Sequence, residues 1–152
     1  MSEEAKNKAI EKNLQMSLKT KWFEMTKDGI KTEDYREITP YWAKRLFLYQ
    51  GEPLKNNLDD LEIEIICEEL NNAINCFGEL DEEIAFVFDN WYLTFKNFDF
   101  NIMTLGYPKS TDADRILKLE HKGIEIRTGN PDWGAEPNKL YFIIKHGQIK
   151  SI

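Results

Sequence analysis

Between Asp28 and Glu37 the chain reads Asp-Gly-Ile-Lys-Thr-Glu-Asp-Tyr-Arg-Glu, which gathers two cations, four carboxylates and a phenol around one glycine. Lys31 beside Glu33 and Arg36 could hold a phosphate, polarise a carbonyl, or form a surface ion-pair network of little energetic weight. A lysine serves as base or nucleophile only where burial or a neighbouring cation lowers its pKa, because a free amine is protonated at neutral pH. Arg36 suits a fixed role, since its planar fork grips phosphate or carboxylate or stacks on a base, and Glu33 or Glu136 could equally pin it. Much later, Trp133 stands in a loop rich in Gly and Pro, where it reads either as a stacking platform for a base or as a plug in the core. Glu136 beside it could accept hydrogen bonds from an exocyclic amine, and Pro137 fixes the loop.

The elements that must position these groups are legible from periodicity. Thr20 to Lys27 has the pattern of a short amphipathic helix with Trp22, Phe23 and Met25 as its apolar residues, and Gly29 is its natural stop. The run beyond is extended, which puts Lys31, Glu33 and Tyr35 on one side and Thr32, Asp34 and Arg36 on the other, one face lining a cleft. Residues 14–19 alternate as a half-buried strand. Thr39 and Pro40 open a helix that turns Trp42, Leu46 and Phe47 toward the core. Residues 57–77 read as a helix with Leu58, Leu61, Ile65, Ile66, Leu70, Ala73, Ile74 and Phe77 near one stripe. The alternation from Leu61 to Ile65 also fits a strand, but length favours the helix. Asp81 is the expected N-cap of a second helix to Lys96 that buries Ile84, Phe88, Trp91 and Phe95, a stripe that could alternatively face a partner.

After Phe98 the two-residue period returns as far as Thr104, then again over 115–127 with an interruption at His121-Lys122-Gly123, and residues 140–144 form a short apolar strand. His121 and His146 each adjoin a lysine and read as solvent-facing strand ends without a role.

The Asp28 to Glu37 segment, with Pro40-Tyr41-Trp42 after it and the stretches 123–126, 133–137 and 141–145 later, resembles the ASCH domain family of the PUA-like superfamily. The match falls on the glycine, lysine, tyrosine and arginine of the signature region. It implies an α+β fold, a PUA-like small mixed β-barrel with packed helices. It also implies a cleft that in relatives meets nucleic acid or a modified nucleoside, formed here by Lys31, Glu33, Tyr35, Arg36, Trp133 and Glu136. Residues 50–97 lie outside the pattern as a helical insertion. In some bacterial relatives a lysine of the Gly-x-Lys-Thr element, a threonine three residues on and a distant glutamate hydrolyse the amide of N4-acetylcytidine. Lys31 is in register with that lysine, whereas Asp34 stands at the threonine position.

At 152 residues the chain supports one core, read as a single domain over 13–152 behind a flexible arm at 1–12. Twenty Lys and Arg against 27 Asp and Glu, a net charge of -7, remove the driving force for coating nucleic acid, while the cations crowd the N-terminal third and favour a discrete site. Cys67 and Cys76 without histidines at ligand spacing do not make a zinc site and read as reduced core residues, so neither metal nor cofactor is expected. No apolar run approaches the ~20 residues that span a bilayer, and the first residues lack a secretion signal, so a cytoplasmic protein without a membrane partner is expected. The leading reading is a module that binds a nucleotide, modified nucleoside or RNA element. The rivals are an amidohydrolase or nuclease using Lys31, and a protein-interaction module using the acidic insertion.

Overall fold

A computed structural model describes residues 12–150, so the flexible-arm reading falls, but for Lys12, outside the described residues. The chain is mixed α+β. In order it forms β1 (Asn13–Leu18), α1 (Thr20–Lys27), β2 (Glu33–Glu37), α2 (Pro40–Leu46), β3 (Phe47–Tyr49), β4 (Glu52–Pro53), α3 (Asp60–Asn72), α4 (Leu80–Trp91), β5 (Leu93–Phe95), β6 (Phe100–Leu105), β7 (Ile116–Thr128) and β8 (Leu140–Lys150). One sheet has five strands in the order β1-β6-β7-β8-β2 and another has three in the order β4-β3-β5. No helix among the described residues is long and apolar enough to cross a membrane.

The described chain divides into two compact units. The first holds the residues up to Asp34, Asn97–Gly123 and those from Ile144 onward. Its β1 pairs parallel with β6 from Asn13↔Phe100 to Leu18↔Leu105, and β6 pairs antiparallel with β7 from Phe100↔Glu120 to Thr104↔Ile116. The alternation expected of residues 14–19 is present, with Leu14, Met16 and Leu18 buried. Helix α1 packs on β6 and buries Phe23. Its end is set by Gly29 at φ 76°, which lets the Gly29 N–H reach the Thr26 carbonyl and the Ile30 N–H reach the Met25 carbonyl, the paired bonds of a Schellman stop.

The second unit is Tyr35–Lys96 with Ile124–Ile143. Its centre is Phe47, fully buried, with the rings of Phe88, Phe95 and Phe142 at 5.3, 5.0 and 5.3 Å. Thr39 caps α2 as its sequence implies, accepting from the Trp42 N–H. Asp59 and Glu62 form a reciprocal capping box at the start of α3.

Several expectations are corrected. Leu61, Ile65 and Phe77 are exposed rather than part of the α3 stripe, which is made by Ile63, Ile66, Cys67 and Leu70. The cap of α4 is Glu79, and Asp81 lies inside its first turn. This helix stops at Trp91 because Tyr92 adopts the left-handed conformation at φ 55°, so Phe95 belongs to a strand. Trp91 is half-buried, its indole N–H donating to Glu69 at 2.5 Å. The last strand runs to Lys150, well past the short segment that apolar continuity alone marks. Of the two cysteines, both reduced, Cys67 is buried and Cys76 only half-buried.

Candidate functional site

Lys31 lies two residues before β2, where alternation does not yet apply, and the chain turns its side chain inward. It is 3 % exposed, with its ammonium donating to the Glu33 carbonyl at 2.6 Å and to the Asp34 carboxylate at 3.2 Å. Asp34 is buried with it, so the two residues assigned to opposite faces form one buried ion pair, while Glu33 is half-exposed. The Trp22 ring lies 6.0 Å from the ammonium.

A second polar group in the same unit involves the histidines read as surface residues. Asn101, fully buried on β6, donates from its amide nitrogen to the Lys145 carbonyl at 3.2 Å and meets Nδ1 of His146 at 2.7 Å. Its amide oxygen lies 2.7 Å from Nδ1 of His121. A backbone carbonyl can only accept, so the Lys145 contact fixes the amide orientation and makes Nδ1 of His146 an acceptor. Neutral His146 therefore carries its proton on Nε2, a buried atom with no hydrogen-bond partner among the described residues. His121 in turn donates from Nδ1.

Burial pushes the His146 pKa down to about 4, with Lys31 and His121 adding to the fall and Asp34 and Glu33 opposing it. His121 is lowered first by burial and then by Lys145. At neutral pH His146 is thus uncharged and a poor base, since proton transfer is efficient when the pKa lies near the working pH. The network ties β6, β7 and β8 together through the one buried amide of Asn101. Its sequence signal was Asn101, a polar residue two positions from buried Met103 on the same face of β6.

In the second unit Tyr35 accepts a hydrogen bond at its hydroxyl from the Asn130 N–H at 2.9 Å, and its ring packs at Gly129 so closely that a Cβ there would fall 2.8 Å away. Tyr141 stands 5.8 Å from that ring and accepts from the Glu136 N–H at 2.9 Å. The two phenols thus brace the loop bearing Trp133 and Glu136. Trp133 is half-buried in a single helical turn, and the Glu136 side chain is exposed with Lys139 at 3.9 Å. Of the six expected residues, the structure gathers Tyr35, Trp133 and Glu136 around one loop, whereas Lys31 and Glu33 belong to the first unit.

Arg36 is placed differently. Its guanidinium lies over the Trp42 ring at 5.0 Å, and that of Arg45 over the same ring at 4.6 Å. Tyr41 stands edge-on to Trp42 at 5.3 Å and is 64 % exposed, with Arg45 at 5.6 Å from its ring. Trp42 was expected in the core, but Ala43, Leu46 and Phe47 fill that place and leave the indole half-exposed beside the two arginines. The available signal was the spacing of Trp42 and Arg45, three apart on one helix face. The arrangement presents two oriented cations and an aromatic face, which is chemistry for a phosphate next to a planar ring. No protein-family model matches the chain, and neither a curated protein nor a solved structure matches it.

Proposed function

We propose that this chain is a binding module for a nucleotide or a single-stranded RNA element, an ASCH-like domain of the PUA-like type, whose contact surface is Arg36, Trp42, Arg45 and Tyr41. The observation that carries it is the pair of guanidiniums within 5.0 Å of one indole beside an exposed phenol. A guanidinium can pack on an aromatic ring and grip a phosphate bidentately, and an exposed ring accepts a base. A discrete patch of this kind would let a chain of net charge -7 hold a phosphate locally. The hydrolase alternative has less support, because Lys31 is buried and engaged by Asp34 and the Glu33 carbonyl.

The test is a titration of the intact protein with nucleoside monophosphates and short single-stranded RNA, followed by tryptophan fluorescence. Arg36→Ala and Arg45→Ala should each weaken binding at least about tenfold, as loss of a charge-assisted contact does. Lys31→Ala should leave the affinity of the folded fraction unchanged. Absence of binding by every oligonucleotide and nucleotide would sink the proposal, and Lys31-dependent deacetylation of N4-acetylcytidine would put the hydrolase in its place.

A further inference from the structure

The second unit carries a groove of about 300 Å³ between α4 and β7. On the helix side it is lined by Asp81, Ile84 and Phe88, one stripe at successive turns that spans roughly 10 Å. Opposite run Ile124, Glu125, Ile126 and Arg127, four consecutive strand residues covering roughly 13 Å, with Phe95 completing the floor. The groove is therefore long and narrow, with isoleucine and phenylalanine side chains inside it and carboxylates at the margin. Its charge is one-sided. The first turn of α4 presents Asp81, Glu82 and Glu83, and from Lys55 to Lys96 the intervening chain holds eleven carboxylates and no lysine or arginine. The one cation on the margin, Arg127, donates to Glu125 at 2.6 Å, so its charge is matched within the rim.

We infer that this groove takes an extended segment of a partner protein in which an apolar anchor residue is flanked by lysines or arginines. The anchor enters between Ile84, Phe88, Phe95 and Ile126, and the flanking cations meet Asp81 and its acidic neighbours. Length selects an extended chain, and charge selects its basic character while turning away RNA, whose phosphates would face carboxylates. The groove is separate in chemistry from the arginine and tryptophan patch, and the inference does not depend on the RNA-binding reading.

The probes are three synthetic pentapeptides with blocked ends: Arg-Lys-Phe-Lys-Arg, the same peptide with Ser for Phe, and Glu-Glu-Phe-Glu-Glu. Binding to the full chain is measured by calorimetry at two salt concentrations. The basic Phe peptide should bind at least about tenfold more tightly than the Ser peptide and weaken with salt, and the acidic one should not bind. Asp81→Lys, an exposed change whose folding is checked by circular dichroism, and Ile84→Ser should each lower its affinity about tenfold or more. Phe86→Ala should not, because Phe86 is exposed two residues from Ile84 and Phe88, about 200° round the helix from the groove. Equal binding of the Phe and Ser peptides, no binding of any, or loss of binding through Phe86→Ala but not Ile84→Ser would each overturn the inference.

Discussion

The side-chain amide nitrogen of Asn101 stands 2.7 Å from Nδ1 of His146, and with the Lys145 carbonyl fixing the amide that contact places the imidazole proton on Nε2, while burial keeps the ring neutral. The folded pKa of about 4 lies below the ordinary 6.5, so the unfolded chain takes up the proton first as pH falls. The stabilisation is complete above pH 6.5 and is lost as pH drops through about 4, a loss on the order of 3 kcal/mol. Denaturant melts between pH 8 and pH 4 should show this slope, and His146→Leu should flatten it. A His146 resonance titrating near 6.5 would refute the assignment.

Asn101 itself joins three partners from a fully buried position. Asn101→Leu strands the Lys145 carbonyl and both imidazoles, and should cost about 3 kcal/mol as buried polar groups lose their partners. Chemical denaturation measures it, and a cost below about 1 kcal/mol would mean that water replaces the amide.

The Lys31–Asp34 pair predicts a non-additive cycle. Lys31→Ala leaves a buried carboxylate and should cost about 3 to 5 kcal/mol, whereas Lys31→Met with Asp34→Leu should cost less than that single change. Additive losses in the double-mutant cycle would show that the two side chains are independent.

In the second unit the aromatic centre ranks two substitutions that composition alone leaves equal. Phe47→Ala empties the fully buried ring position and should cost about 3 to 5 kcal/mol. Trp91→Phe removes an exposed hydrogen bond to Glu69 and should cost about 1 kcal/mol or less. Thermal melts of the two variants decide the order.

Gly129→Ala would set a Cβ 2.7 Å from that of Ala135 and 2.8 Å from the Tyr35 ring, both parts of the brace beneath the Trp133 loop. The expected loss is about 1 to 3 kcal/mol, with faster amide exchange across residues 130–136. Unchanged exchange there would show that the loop is held by other contacts.

By itself the sequence determined whatever depends on neighbours within a turn or along one strand. Gly29 at the end of α1, Thr39 and Pro40 at the start of α2, the alternation of Leu14, Met16 and Leu18, and the helical rather than extended nature of α3 were all legible, because caps and periods act over a few residues. The tertiary structure decided which polar groups are inside. Lys31 and Asp34 became a buried pair because the strand begins at Glu33, too late for alternation to place both residues. His146 was found by Asn101 across 45 positions of chain, a contact between β6 and β8, which β7 separates in the sheet, so no local pattern records it. Trp42 moved from the expected core to a half-exposed seat near Arg36 and Arg45 because Ala43 and Leu46 already filled the inward side of α2. Each of these outcomes rests on packing between segments far apart in the chain, and a local pattern records the face a residue could take without recording what already occupies it.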